Sequence, residues 1–433
     1  MAYVGNTPTT QSFISGTDYF NGTGAQTAFT LSRTVNSVND IQVTVNNVVQ
    51  QPNDAYTLSG TTLTMTSAPS AGTNNVYVRY LSTTTQAITP SQGTVSWSTL
   101  DSNIQQDLGI SFKNKIINGA MAISQRTAVN TNVAVATSSQ GTFGPDRFWG
   151  YTGTGSLWNI SQVSTSALDF PQALRVQRIA GQTSTSDIYC GQTIETANCV
   201  GLAGQNVTVS FYATAGANYS GGSVTVQILT GTAADQGTSS LNTAAWTGLA
   251  LPINTTFTPT TTRTRFTFTG AIGSTVQEIA FRFNWAGSGT AGANDYLDIT
   301  GVQLEVGTQA TAFSTAGGSY GAEFALCQRY CWVTNSDSLT IFIGAGTTSS
   351  WGNVVFPVAM RAAPTPTLTG TLCISDQVAF DATAASPTVA NNNLGTFGGR
   401  FQIAGWNASL TAYRPYTGTA AGGSGKVTFS AEL

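Results

Sequence analysis

Apolar and polar positions alternate with period two along most of the chain. "IQVTVNNVVQQ" sets Ile41, Val43 and Val45 on one face and turns at Asn46-Asn47, where asparagine tolerates the positive φ of a tight hairpin. "TTLTMT" alternates Leu63 and Met65, and "NVYVRYL" alternates Val76, Val78 and Tyr80, with Pro69, Ala71 and Gly72 as punctuation. Residues 17–81 therefore read as a small antiparallel unit. From Ile116 to about Phe313, "NVTVSFYA", "SVTVQIL", "TRTRFTFTG", "EIAFRFNW" and "YLDITGVQLEVG" alternate again. Many strands in succession, spaced by Gly, Thr and Ser turns with no helical interruption, predict a β-sandwich of jelly-roll type. No short fixed period runs through them, which disfavours a repeat solenoid. A last run of strands ends in "KVTFSAEL" and carries its own aromatics, among them Trp332, Trp351, Phe356, Trp406, Tyr413, Tyr416 and Phe429.

Two stretches break the alternation. In "STLDSNIQQDLGISFKNK", Ser98 with Asp101 three residues on fits a capping box. Leu100, Ile104 and Leu108 then fall near one face of a short helix, and Gly109 weakens its end. A helix so short needs its apolar stripe covered. Docking on a neighbouring domain and self-association along a stem are both open. In "GAEFALCQRYCWV", Glu323, Phe324, Leu326, Cys327, Tyr330 and Cys331 suit one helix-like turn with an apolar face.

Composition narrows the chemistry. Of 433 residues only 8% are charged, against about 25% in ordinary domains, so hydroxyls and amides must supply solubility. The fold class is all-β. The net charge is −3 and the only lysines are Lys113, Lys115 and Lys426, so no phosphate-tracking surface and no nucleic-acid partner is expected. The chain has no histidine, which removes His triads and His-ligated zinc. Neither a metal nor a cofactor is expected. The opening "MAYVGNTPTT" has no basic and no apolar region, so no signal peptide is expected, and no run approaches the roughly 20 apolar residues of a membrane span. A surface suited to the outside world without an export signal fits a virion protein made in a host cytoplasm and released by lysis. A secreted adhesin would need a separate export route.

At this point the residues carry a family likeness. "FNGTGAQTAFTLSRTVNSVNDIQVTVNNVVQQPNDAYTLSGTTLTMTSAPSAGTNNVYVRYL" resembles the N-terminal virion-attachment domain of bacteriophage tail fibres, especially those of short-tailed phages. "NKIINGAMAISQR" and "GPDRFW" look like the entry to the carbohydrate-binding-like jelly roll of many phage tail proteins. "GVQLEVGTQATAF", "GAEFALCQRYCWV", "VAMRAAPTP" and the terminal "AEL" are similar to the motifs that join that jelly roll to a distal tip. The chain departs from the pattern at Cys331, where the family often has an aromatic. The resemblance implies a homotrimeric fibre that recognises a bacterial surface glycan or other outer-membrane receptor and joins tail adaptor or nozzle proteins through its N-terminal domain. It implies four parts: an attachment β-domain over 1–96, a short helical stem over 97–115 with Leu100, Ile104 and Leu108 as its trimer seam, a jelly roll over 116–315, and a receptor-binding tip over 316–433.

Candidate sites follow from residue type. Flat aromatic faces with amide and hydroxyl partners suit sugars, which singles out Trp351, Trp406, Tyr413 and Tyr416 in the tip. Arg414 between the tyrosines suits an acidic sugar as a bidentate donor. No catalytic residue is assigned. The alternative is a tailspike-like enzyme, whose two facing carboxylates would have to come from the few Asp and Glu beyond Ile116. A bacterial surface adhesin is the third reading. Asp146 beside Arg147 reads as an ion pair, and Asp295 with Asp298 offers hard oxygens for calcium. Cys327 and Cys331 read as buried thiols, while Cys190 and Cys199 flank a hairpin-like "GQTIETAN" and suit pairing after release.

Overall fold

The computed structural model describes residues 16–35, 37–81, 112–153, 157–335, 341–376, 381–384, 388–419 and 425–433. They belong to two compact units, 1–100 and 101–433. Among the described residues no helix is long and apolar enough to cross a membrane.

In the first unit, strands Thr17–Gly22, Gly72–Tyr80, Ile41–Val45 and Val48–Val49 form one antiparallel sheet in that order, and Ala28–Thr30, Thr62–Met65 and Tyr56–Ser59 form a second. The turn at Asn46 and Asn47 has φ of 48° and 63°, as that dipeptide predicts. Val43, Val76, Val78, Tyr56 and Leu63 are sealed between the sheets.

The predicted helical stem falls mostly outside the described residues, and Leu100, Ile104 and Leu108 with it. Its last residues, 112–115, are described, and they are not helical. Phe112 has φ of 64°; its N–H donates to the Ala316 carbonyl at 3.2 Å and that of Lys115 to Leu304 at 2.9 Å. This strip docks on the sandwich that follows.

That sandwich has two six-stranded antiparallel sheets. One runs Ala250–Phe257, Val224–Gly231, Glu278–Ala286, Asp187–Ile194, Trp149–Thr152, Thr142–Phe143. The other runs Thr264–Ala271, Asn206–Ala215, Tyr296–Val306, Gln172–Arg178, Trp158–Ser164, Val133–Ala134. Alternation does what it should: Val207, Val209, Phe211 and Ala213 from one sheet meet Ile279, Phe281, Phe283 and Trp285 from the other in a single core. Burying such side chains contributes about 1.5–3 kcal/mol each, so the jelly roll stands on its own interior.

The distal strands form a seven-stranded sheet and a three-stranded one, Cys331–Asn335, Lys426–Ser430 and Thr365–Thr369, around a separate core with Phe342, Phe401, Val427 and Phe429 at its centre.

Between the two cores lies a buried polar joint, built from the short motifs that carried the likeness. The helix Tyr320–Gln328 starts at Ser319, whose side chain accepts from the Ala322 N–H, and ends against Ile117, Ile123 and Ala316 through Cys327 and Tyr330. Glu323 turns its carboxylate to the backbone N–H groups of Asn118 and Gly317. Asp146 and Arg147 do not pair with each other, contrary to the sequence reading. Asp146 accepts from the Gln125 amide N–H at 3.0 Å and faces Arg126 at 3.7 Å. Arg147 reaches Glu432, which also accepts from Arg126 at 3.0 Å, and its guanidinium lies 3.6 Å from the Tyr330 ring centre. Arg329 forks onto Glu195, which also accepts from Tyr330 Oη at 2.7 Å, and those donors hold Glu195 below the ordinary carboxylate pKa although burial pushes it up. Arg361 donates to the Ala431 and Glu432 carbonyls at 2.9 and 3.1 Å. Cys331 starts its strand fully buried.

Glu432 bridges two arginines whose side chains are only 3% and 15% exposed. Removing one member of a buried ion pair typically costs about 3–5 kcal/mol, because the partner charge is left behind. Glu432→Ala is therefore expected to destabilise unit 101–433 by that order in chemical denaturation. A loss below roughly 1 kcal/mol, the range of exposed pairs, would show that the bridge is not buried in solution.

Candidate functional site

The inward residues of a strand fix which neighbours point out. In Gln172–Arg178, Leu174 and Val176 enter the core, so Ala173 and Arg175 face outward; in Asn206–Ala215, Phe211 and Ala213 enter, so Tyr212 and Thr214 face outward; in Tyr296–Val306, Leu297 and Ile299 enter, so Asp298 and Thr300 face outward. These strands are neighbours in one sheet, with Arg175 opposite Asp298 and Asp298 opposite Thr214. The same outer face is covered further along, where Thr208 Oγ1 donates to the Gly307 carbonyl at 2.8 Å and Arg265 reaches the Thr311 carbonyl. Its open part is a groove of about 450 Å³, walled by residues 164–167 and by Thr261 and Arg263.

Three features shape the groove. Arg175 donates through Nε and Nη2 to both oxygens of Asp298 at 2.7 Å and lies 3.6 Å from the Tyr296 ring centre. Burial pushes the Asp298 carboxyl up and Arg175 draws it back. The Tyr212 ring packs on Phe170 with centroids 5.2 Å apart, and the Arg263 guanidinium sits 5.0 Å from its centre. Gly301 makes that packing possible. It has φ of 60°, and a Cβ there would come within 2.7 Å of Phe170 and 2.9 Å of Tyr212; the strand register shifts at the same place. A half-buried ring, a fixed guanidinium–carboxylate pair and several hydroxyls form a shallow polar trough. Such a trough can stack and hydrogen-bond an extended polar ligand.

The residues singled out in the tip separate into two groups. Trp406 and Tyr416 are buried in the distal core. Trp406 is 4% exposed, donates from Nε1 to Ser350 Oγ at 3.0 Å and meets Phe342 edge-on; Tyr416 is 3% exposed and accepts from the Thr411 N–H at 2.9 Å. Their Gly- and Thr-rich surroundings look like loops, yet the rings turn inward to fill the distal core. Tyr413 lies at the surface, and Trp351 beside it is half-buried. Tyr413 is 80% exposed at φ 64°, its ring centre is 6.5 Å from that of Trp351, and Arg400 lies over Trp351 at 4.6 Å. Arg414 is engaged with Asp376 at 2.6 Å.

The other sequence candidates resolve into structural roles. Asp295 accepts from Arg178 and from Ser220, and Asp298 is held by Arg175, so the two do not form a calcium site. Cys190, Cys199, Cys327 and Cys331 are buried free thiols, so Cys190 and Cys199 are not paired, and burial pushes all four up in pKa. The groove residues escape a reading of short motifs because they are scattered over more than a hundred positions. The available signal was a charged or aromatic residue at an outward position between two inward apolar ones.

No family model matches the chain, and no curated protein matches it. Among solved structures, a protein of Bacteroides thetaiotaomicron described as sugar binding is 14% identical over 45% of this chain and all of its own, with a TM-score of 0.30. A CBM4 structure is 17% identical over 44% of this chain and 98% of its own, at 0.26. The enzymatically active domain of bacteriophage CBA120 tailspike protein 4 is 14% identical over 45% of this chain and 21% of its own, at 0.24. At these TM-scores the likeness decides nothing about what this chain binds.

One carboxylate away from the groove titrates unusually. Glu278 is fully buried, its Oε2 accepts from Thr196 Oγ1 at 2.7 Å, and burial raises its pKa from 4.5 to about 8, with help from the charge of Asp235. A raised folded-state pKa gives stability that is complete below the unfolded value and lost as pH climbs through the folded one. Stability is therefore expected to fall from about pH 4.5 and to level off above about pH 8. Glu278→Gln should flatten that slope and raise the melting temperature by several degrees at pH 9; an unchanged slope in thermal scans would contradict the assignment.

Proposed function

We propose that this chain is a phage tail-fibre protein that attaches the virion to its bacterial host by holding a surface glycan in the sandwich groove. The observation that carries the glycan reading is the groove itself. Its ring, its fixed Arg175–Asp298 pair and its hydroxyls match what a sugar chain offers, namely apolar faces and many alternating donors and acceptors. Among the described residues Asp298 is the one carboxylate in the groove lining, Asp169 lies just beyond the wall on Arg263, and each is held by its own arginine. Cleavage of a glycoside uses two facing carboxylates, so binding is favoured over the tailspike-like alternative.

The attachment role rests on the motif likeness along the chain and on the separate, self-cored unit within residues 1–100, which suits an anchor to tail adaptor proteins. In this reading the fibre is a homotrimer located in the virion. Three copies would repeat each modest site and raise avidity by orders of magnitude. Light scattering is expected to give three times 44.9 kDa; a clean monomer at micromolar concentration would refute the trimer.

A second surface is favoured by one observation, the exposed Tyr413 beside Trp351 in the distal unit, which keeps receptor contact at the tip as a second reading. The two separate by mutation. Tyr212→Ala is expected to weaken binding to host polysaccharide by about tenfold, since an aromatic contact contributes about 0.5–1.5 kcal/mol beyond the apolar area it covers. Tyr413→Ala should leave binding within twofold or so. The reverse pattern, in proteins with unchanged melting temperatures, would move the site to the tip.

A further inference from the structure

Resting on the glycan reading of the groove, we propose that the groove selects anionic glycans, with Arg263 as the residue that determines specificity and Asp169 as a built-in stand-in for the ligand's carboxylate. Arg263 is set against two rings, 5.0 Å from the centre of Tyr212 and 5.7 Å from that of Phe170. Asp169 fills the fork with parallel bonds, Nη1 to Oδ1 at 2.9 Å and Nη2 to Oδ2 at 2.8 Å. This is the geometry a carboxylated sugar would adopt on the same arginine.

The pair is exchangeable because of where it lies. The side chains of Arg263 and Asp169 are 33% and 52% exposed, and water and salt screen such pairs so that they hold weakly. Asp169 follows Leu168, which is fully exposed, on the chain just past the groove wall at 164–167. If a ligand carboxylate replaced it, Asp169 would go to solvent and no charge would be left buried without a partner. The pair inside the groove behaves differently. Arg175 and Asp298 are 25% and 15% exposed, face each other across adjacent strands, and are backed by Tyr296. Freeing Arg175 would strand Asp298 in a partly desolvated place. Arg175 is thus committed to its neighbour, and Arg263 is the cation open to an incoming acid. A neutral glycan offers no group that replaces Asp169, so for such a ligand the fork stays closed.

The test uses the full chain and a panel of uronate- and sialate-containing bacterial polysaccharides, each measured before and after chemical reduction of its carboxyl groups. The native acidic forms that bind are expected to lose about tenfold or more on reduction, and their affinity to fall as salt is raised. Arg263→Gln should erase the difference between the two forms. Asp169→Asn should tighten the acidic form several-fold and leave the reduced form unchanged, which a merely structural role for Asp169 would not do. Equal binding of native and reduced polysaccharides, abolished in both by Tyr212→Ala, would overturn the anionic selection while upholding the groove as a glycan site. No binding to any member of the panel, native or reduced, would overturn both.

Discussion

The packing of Phe211 at the centre of the sandwich is the contact on which the rest depends. Its ring meets Phe283 edge-on with centroids 4.7 Å apart and lies 5.0 Å from Phe257 and 5.8 Å from Phe266, so both sheets converge on it. Large aromatic side chains dominate the energetics of such cores. With Phe211 pointing inward, the pleat obliges Tyr212 to point outward, and the strands beside it place Asp298 and Arg175 on the same side. A slip of one residue would exchange every inward side chain for an outward one. The core thus sets the position of the groove as well as the stability of the domain.

Charge is the second constraint. A chain with so few ionisable residues gathers Arg126, Asp146, Arg147, Glu195, Arg329 and Glu432 at the joint between the sandwich and the distal strands. Buried ion pairs add little net stability compared with apolar packing, but they penalise any arrangement that separates them. The joint therefore works as a registration device. It ties Arg126 and Arg147, near the start of the sandwich, to Glu432 near the end of the distal strands, and the Tyr330 ring on Arg147 completes it.

Much of this was legible in the sequence, and the reason is periodicity. Alternation in "IQVTVNNVVQQ" and "NVTVSFYA" gives strand, face and turn from nearest neighbours alone. "GAEFALCQRYCWV" reads as one helical turn, and Tyr320–Gln328 is that helix, but Tyr330 lies past its end, Cys331 starts a strand, and Glu323 shares the buried side with Cys327. What failed depended on partners far away. Asp146 and Arg147 look like a pair, but Arg147 answers to Glu432, 285 residues on. Asp295 and Asp298 look like two ligands for one ion, but each faces its own arginine. Trp406 and Tyr416 stand open in the sequence between core and sugar contact, since their neighbours there are small and polar, and burial places both in the distal core. The groove is illegible as a motif since its parts meet only when non-consecutive strands pair.

Hydrogen–deuterium exchange of the intact protein with and without host polysaccharide tests the location of the site most directly. Binding in the groove should protect backbone amides around 164–167, 173–175, 212–214 and 298–300, and leave the segments around Trp351 and Tyr413 unchanged. Protection confined to the Trp351 and Tyr413 segments, with the sandwich strands exchanging as in the free protein, would contradict the account.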